Sequence, residues 1–179
     1  LSAYLKALER QESTYPADYV KLRCTENHDR PRTAALFPDP AVRENWLAWN
    51  FFQKGLAMLY CGQEWGAART PSLFDPDPVP RDGEPMHEAL LKKLIAVKKD
   101  PLFSDGVYTL EARENDVIVS TWTLGNRKAV GVFSMRAKPA SVGVPLADGA
   151  YFDLLSGANC TVENGTVASA GRPLIFLIG

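Results

Sequence analysis

The hydrophobic pattern of the chain changes once, near Phe103, and this change constrains the fold more than any other feature. Before it, apolar residues recur at helical spacing or form short continuous runs, which predicts alternating helices and strands. After it, short apolar stretches are separated by Gly, Asn and Asp turns, which predicts antiparallel strands. We therefore expect an α/β part at residues 1–102 and an antiparallel β-sandwich at residues 103–179.

The α/β part is predicted to run helix, strand, helix, strand, helix. The expected helices cover residues 1–11, 40–55 and 90–97, and the expected strands cover residues 19–25 and 56–60. The middle helix has the clearest ends, because Asp39 is an N-cap residue, Pro40 suits the first turn and Gly55 is a typical C-terminal glycine. The second strand is continuously apolar, which predicts a parallel strand buried on both faces.

Six strands are expected in the sandwich, at residues 107–110, 116–122, 128–134, 141–146, 151–154 and 173–178. Asn159 and Asn164 each begin an Asn-x-Thr pattern that glycosylation enzymes accept in secreted proteins. We interpret both as turn residues.

The charge balance disfavours two classes of partner. The formal net charge is −1, with acidic and basic residues spread along the chain, so no long-range field would recruit nucleic acid or an anionic membrane. No run of 18 apolar residues occurs either, so the sequence predicts no membrane span. A neutral ligand fits this composition better.

The three cysteines, Cys24, Cys61 and Cys160, form no CxxC pair, and we expect them to be buried thiols. An odd count without metal spacing favours a reducing compartment such as the cytoplasm. A bridge between Cys24 and Cys61 would require their strands to be neighbours.

Polar residues follow both predicted strands. Glu26, Asn27, His28 and Asp29 come after the first strand, and Gln63 and Glu64 come after the second. We call these six residues the polar rim, because ligands of parallel α/β proteins meet the carboxyl ends of the strands. A His–Asp pair held there could bind sugar hydroxyls, and a fixed carboxylate would stabilise the oxocarbenium-like state of glycoside cleavage.

Three segments carry a resemblance to one family. Residues 22–32, LRCTENHDRPR, resemble the fourth sequence region of the α-amylase family (glycoside hydrolase family 13), which follows barrel strand 7. Residues 55–64, GLAMLYCGQE, resemble the family's strand 8, and residues 151–157, YFDLLSG, resemble the end of its C-terminal β-sandwich. The order and spacing of the three segments are those of the family.

The resemblance implies a fold and roles for several residues. Residues 1–102 would be the last two strand–helix units, strands 7 and 8, of a (β/α)8 barrel, which in full takes ~250 residues. Asp29 would be the transition-state-stabilising carboxylate and His28 would bind hydroxyls of the sugar. Asn27 would be structural, Glu64 would lie on the rim, and Arg32 matches a position where many members have arginine.

The family's other two catalytic carboxylates, a nucleophilic aspartate on strand 4 and an acid/base glutamate on strand 5, would lie upstream of this chain. The resemblance therefore implies that the chain alone is inactive, lacks the N-terminal part of the barrel and is prone to self-association. The intact parent would act on α-linked glucosides by retaining double displacement, as a hydrolase or a transglycosylase.

Other roles stay open at this stage. Trp65 follows the rim and could stack on a sugar or simply pack, whereas His87 is expected at the surface without a role. The aromatic residues of the middle helix are expected to be core rather than a sugar platform (Trp46, Trp49, Phe51, Phe52).

The acids between residues 68 and 85 lack the spacing of a calcium loop, so no cofactor is predicted, although some relatives bind calcium (Asp75, Asp77, Asp82, Glu84). Two alternative functions are a non-catalytic relative serving as an interaction scaffold and a starch-binding sandwich. The His28–Asp29 pair argues against the first, and the lack of a paired exposed aromatic in the sandwich argues against the second.

Overall fold

The computed structural model describes residues 1–16, 18–81 and 83–179. Its first part holds five helices and two short strands: α1 Ser2–Thr14, β1 Leu22–Arg23, α2 Thr33–Leu36, α3 Pro40–Phe52, β2 Leu56–Ala57, α4 Glu88–Lys98 and α5 Leu102–Asp105. A short 3-10 helix, Gln63–Trp65, follows β2. Most of the chain's strands lie after α5 in antiparallel sheets.

The start of α3 is as predicted. The Asp39 carboxylate accepts a 2.8 Å hydrogen bond from the Ala41 amide, and Pro40 occupies the first helical position. The helix ends at Phe52, so Gly55 is not the C-terminal glycine that the sequence predicted. Its φ is +101°, and a Cβ there would overlap the Lys21 carbonyl oxygen, so glycine lets the chain pass close to the strand before it.

The two short strands β1 and β2 pair in parallel, with Leu22 opposite Leu56. Both strands are shorter than predicted, and β2 is not buried on both faces: Leu22 is 58% exposed and Leu56 is 59% exposed. The physical reason is that no further strand pairs with either one in the described part of the chain. Parallel strands become buried only when strands and helices flank them.

The second part forms two four-stranded antiparallel sheets. One has the order β10-β5-β4-β3 and the other the order β6-β9-β8-β7. The strands are β3 Val107–Arg113, β4 Val117–Leu124, β5 Arg127–Ser134, β6 Ala140–Gly143, β7 Gly149–Phe152, β8 Asn159–Glu163, β9 Thr166–Ser169 and β10 Leu174–Ile178.

The β8–β9 hairpin was not predicted, because its strands are short and mostly polar on one side. Asn164 and Gly165 both have positive φ and form its turn, as expected of Asn-Gly. Asn159, in contrast, begins β8, so its interpretation as a turn residue is wrong.

One hydrophobic core crosses from the helices to the first sheet. The ring of Phe52 packs 5.2 Å from Phe103 and 5.4 Å from Phe133, centroid to centroid. Trp49, Phe51 and Phe52 are at most 6% exposed, and Trp46 is half-buried, so the prediction that these aromatics are core is confirmed. A second cluster of valines with Leu174 and Phe176 fills the space between the two sheets.

The cysteine prediction is wrong in two cases. Cys24 and Cys61 are exposed and Cys160 is half-buried, and all three are free thiols. Cys24 and Cys61 follow the strands of the short parallel pair, and the Arg81 guanidinium lies 3.6 Å from the Cys61 sulfur. Burial raises the pKa of the Cys160 thiol in β8.

His87 is not a surface residue but is 3% exposed at the start of α4. Its backbone amide donates a 2.9 Å hydrogen bond to the Glu64 carbonyl, which holds the start of α4 against the 3-10 helix. Neither ring nitrogen has a hydrogen-bond partner among the described residues. Burial and the nearby Arg43 lower the pKa of His87 below 6.5.

Across the described ranges, no helix is both long and apolar enough to cross a membrane.

Candidate functional site

The segment Asn27-His28-Asp29 forms a tight turn just beyond β1. The Asn27 side-chain oxygen accepts a 3.0 Å hydrogen bond from the Asp29 amide, and the Asn27 carbonyl accepts a 3.3 Å bond from the Arg30 amide. Asparagine stabilises such turns by bonding its own backbone two residues on. The side chain and the carbonyl of Asn27 therefore both stabilise this turn.

The side chains of His28 and Asp29 project into solvent beside each other. The His28 Nε2 lies 3.3 Å from the Asp29 Oδ2, and the two side chains are 56% and 67% exposed. A carboxylate and an imidazole in this position can accept and donate hydrogen bonds to hydroxyl groups of a ligand.

Glu26 does not belong to the polar rim, because its side chain points into the protein. Glu26 is 1% exposed and pairs with Arg32, which is 0% exposed, over 2.7 Å. Its other carboxylate oxygen accepts hydrogen bonds from the Thr33 amide, at 2.7 Å, and from the Thr33 hydroxyl, at 2.6 Å. A buried carboxylate needs a counter-charge and hydrogen-bond donors, and Arg32 and Thr33 provide them for Glu26.

The second strand end is also more enclosed than expected. Gln63 is 5% exposed and donates a 2.6 Å hydrogen bond to the Thr25 hydroxyl. Glu64 is half-buried, and its carboxylate accepts a 3.0 Å bond from the Gly62 amide. Of this pair, Glu64 retains partial access to solvent and Gln63 links the two strand ends.

Trp65 is half-buried and held by the excursion at residues 68–85. Its indole Nε1 donates a 3.1 Å hydrogen bond to the Gly83 carbonyl, and the Arg81 guanidinium lies over its ring at 5.5 Å from the centroid. The ring therefore already has a stacking partner on one face.

The two strand ends are brought together by Arg32 and Gln63 rather than by the expected site residues. The Arg32 Nη2 donates a 2.7 Å hydrogen bond to the Cys61 carbonyl, just after β2. In the described part of the chain, no hydrogen bond or ion pair joins His28 or Asp29 to Glu64 or Trp65. The sequence analysis did not predict Arg32 as a link between the strand ends, because Arg30 and Arg32 follow the same polar turn and the pattern does not show which of them turns inward.

The acids of the excursion serve its internal structure. The Asp77 carboxylate accepts a 2.8 Å bond from the Ser72 amide and pairs with Arg69, and that arginine holds the pKa of Asp77 below its usual value. No group of three His, Cys, Asp or Glu residues converges as a metal site among the described residues. Asp82, which belongs to the same acidic stretch, lies outside them.

Comparison with known proteins identifies the architecture. The family model of the bacterial alpha amylase C-terminal domain matches residues 109–176. An α-amylase from Lactobacillus plantarum has 31% identical residues and a TM-score of 0.93, with 99% of this chain and 42% of that chain covered. A search of curated proteins found no match.

Two further solved structures share the fold. A noncanonic maltogenic α-amylase, AmyB from Thermotoga neapolitana, has 24% identity and a TM-score of 0.82 over 98% of this chain and 45% of its own. AmyP, solved in complex with maltotriose, has 18% identity and a TM-score of 0.75 over 98% of this chain and 44% of its own.

These matches define the second part of the chain as an all-β C-terminal domain of the α-amylase type. The chain belongs to the α-amylase family of glycoside hydrolases and matches a C-terminal portion of its members, which confirms the resemblance. It spans 42–45% of the length of the solved relatives described above.

Proposed function

We propose that the protein containing this chain is a retaining glycoside hydrolase or transglycosylase that acts on α-linked glucosides such as starch and maltooligosaccharides. Asp29 is the carboxylate that stabilises the transition state, and His28 binds hydroxyls of the sugar being cleaved. The observation that carries the proposal is the exposed His28–Asp29 pair, 3.3 Å apart, on a turn that Asn27 fixes beyond β1. Glu64 and Trp65 lie at the neighbouring strand end and contribute to the same sugar-binding region.

The proposal extends to the domain organisation. Residues 1–102 form the last strand–helix units of a (β/α)8 barrel, with β1 as strand 7 and β2 as strand 8. Residues 103–179 form the C-terminal sandwich. The parallel pairing of β1 with β2, with α3 between them in sequence, supports this assignment, as do their exposed leucines. Active sites of such barrels lie at the carboxyl ends of the strands, where His28 and Asp29 are found.

The chemistry needs more than Asp29. Retaining cleavage requires a nucleophile that forms a glycosyl intermediate and an acid that protonates the leaving oxygen. By the resemblance, both come from upstream strands, so Asp29 contributes only negative charge. A fixed carboxylate is worth most in the transition state, where positive charge develops on the ring.

The test is hydrolysis of a chromogenic maltooligosaccharide by the parent protein and its variants. Asp29→Asn is nearly isosteric and should lower kcat by about a hundredfold or more while leaving the fold intact. His28→Ala should be milder, with a loss of about 1–2 kcal/mol in transition-state binding, because a hydrogen bond to the substrate is removed.

Asp105→Asn is the matched control, because Asp105 is an exposed aspartate in α5, away from the strand ends. It should leave the rate unchanged, and the isolated 179-residue chain should be inactive. An Asp29→Asn parent with an undiminished rate, or an active isolated chain, would refute the role of Asp29. A folded but inactive parent would favour a non-catalytic scaffold instead.

A further inference from the structure

A buried ion pair joins the two ends of the segment that carries His28 and Asp29. Glu26 and Arg32 flank the turn in sequence, are 1% and 0% exposed, and are joined over 2.7 Å. Ion pairs buried this completely carry a large desolvation cost, so they contribute little net stability compared with apolar residues of similar size. Stability alone therefore does not account for this pair.

We infer that the Glu26–Arg32 pair positions the catalytic turn: it fixes where Asp29 stands relative to the end of β2. This inference rests on the function proposed above for Asp29. Glu26 and Arg32 act through the turn and are positioning residues, since their buried side chains are not available to the substrate.

The guanidinium of Arg32 binds three different segments at once. Nη1 donates to the Glu26 carboxylate at 2.7 Å, Nη2 donates to the Cys61 carbonyl at 2.7 Å, and Nε donates to the Arg69 carbonyl at 3.2 Å. Its carbon also lies over the Tyr60 ring, 4.4 Å from the centroid. One planar guanidinium therefore binds Glu26 before the turn, Cys61 after β2 and Arg69 at the start of the excursion.

Arginine is required for this arrangement. Its planar guanidinium offers five N–H donors in a fixed fork, whereas a lysine offers a single point charge on a flexible stem. Glu26 completes the other side, because its second oxygen holds both the amide and the hydroxyl of Thr33 at the start of α2. The turn is thus fastened at both ends, before Asn27 and after Asp29.

The exposed side chains of His28 and Asp29 make few contacts outside their own turn. Within the described residues, the Asp29 amide bonds to Asn27 and its carboxylate pairs with His28, and both partners belong to the same turn. The position of Asp29 relative to a sugar ring therefore depends on Glu26 and Arg32, which hold the two ends of the turn. A displacement of about 1 Å at a reacting centre can cost roughly a hundredfold in rate.

A second arginine in the same half of the chain provides a matched control. Arg23 is 9% exposed, pairs with Glu12 over 3.2 Å and donates a 2.6 Å hydrogen bond to the Lys54 carbonyl. This pair also combines a carboxylate and a backbone carbonyl, but Lys54 lies before β2, at the opposite end of the strand from Cys61. Glu12 is 27% exposed and also pairs with Lys54, so Glu12→Gln perturbs a less buried ion pair that does not contact the turn.

The first experiment measures kcat and KM of the parent protein with Glu26→Gln, Arg32→Lys, Glu12→Gln and Asp29→Asn, each corrected for its folded fraction. Glu26→Gln and Arg32→Lys should lower kcat by about a hundredfold with a smaller change in KM, and Glu12→Gln should keep the wild-type kcat. Arg32→Lys keeps the buried charges balanced, so it serves if Glu26→Gln does not fold. Unchanged kcat in both, or an equal loss in Glu12→Gln, would overturn the inference.

The second experiment separates this inference from the proposed function. NMR spectra of the chain should show shifted or broadened amide resonances at residues 27–29 in Arg32→Lys or Glu26→Gln but not in Glu12→Gln. Unperturbed resonances at residues 27–29 would overturn the positioning role even in an active enzyme. If instead the parent is inactive, or Asp29→Asn keeps its rate, the proposed function fails while the NMR result still decides whether the pair positions the turn.

Discussion

The indole Nε1 of Trp122, in β4, donates a 2.6 Å hydrogen bond to the carbonyl oxygen of Phe52, the last residue of α3. Both side chains are 1% exposed. Because the last carbonyls of a helix have no partner within the helix, the sheet supplies one here. The bond ties the predicted second domain to the predicted first one, across the boundary near Phe103.

Trp122→Phe should lower the free energy of unfolding by about 1–3 kcal/mol, because it leaves a buried carbonyl without a donor. Urea unfolding followed by circular dichroism measures this loss. Trp65→Phe is the matched control: it removes the same kind of indole-to-carbonyl bond, to Gly83, but Trp65 is only half-buried and this bond is open to water, which can replace it. Equal losses in the two variants would show that the buried bond contributes no more to the free energy of unfolding than the Trp65 bond does.

The patterns that the sequence predicted well are those with a local physical cause. The cap at Asp39 and the turn at Asn164-Gly165 depend on a few neighbouring residues, so the local sequence was enough to predict them. The middle helix aromatics were assigned to the core because their spacing leaves one apolar face, and that assignment is confirmed.

The failures concern contacts that a local sequence pattern does not encode. The inward orientation of Glu26 depends on Arg32 and Thr33, and the start of α4, where His87 lies, is bonded to the Glu64 carbonyl 23 residues earlier along the chain. A polar side chain after a strand has the same sequence signature whether it points outward or into the protein. The exposure of Leu56 likewise depends on which strands lie beside β2, which no local pattern encodes.

Asp153 anchors the segment between β7 and β10, and its replacement should destabilise the sandwich. It is 0% exposed, and its carboxylate accepts hydrogen bonds from the amides of Ser156, at 2.8 Å, and Ile175, at 2.9 Å. Asp153→Asn should cost about 1–3 kcal/mol, because an amide NH2 would face a backbone donor. The midpoint of thermal unfolding measures it.

The control for Asp153 is Asp148→Asn. Asp148 is exposed and accepts hydrogen bonds from the amides of Asn164 and Gly165, both at 2.9 Å. Water can replace these bonds, so the control should shift the midpoint much less. A larger shift for Asp148→Asn than for Asp153→Asn would contradict the reading of Asp153 as the stronger anchor.

His87 should make the protein less stable in mild acid. Burial and then Arg43 lower the pKa of His87 below 6.5, so as the pH falls the unfolded chain binds a proton before the folded chain does. The free energy of unfolding should therefore decrease as the pH drops from about 7 to about 5.5, above the range in which carboxylates titrate. A histidine at a helix N-terminus is also disfavoured in its charged form by the helix dipole.

The variant His87→Gln isolates this effect, because glutamine does not titrate. Its unfolding free energy should change less across the same pH range than that of the wild type. Chemical denaturation at a series of pH values gives both slopes. Parallel curves for wild type and His87→Gln would mean that His87 does not carry the pH dependence.

The final prediction concerns Leu22 and Leu56, which face each other across the parallel pair and are both more than half exposed. An unpaired strand edge with exposed apolar side chains favours association with another chain, so the 179-residue chain should self-associate at high concentration and bind an apolar dye. Leu22→Lys with Leu56→Lys should reduce both signals in light scattering and dye fluorescence, because lysine disfavours edge-to-edge pairing. Ile95→Lys is the control: Ile95 is an apolar residue that is 40% exposed, but it lies in helix α4 and not on a strand edge. A chain that stays monomeric without dye binding, or a control that reduces association as strongly as the double variant, would show that the β1–β2 pair is not the surface that the rest of a barrel would cover.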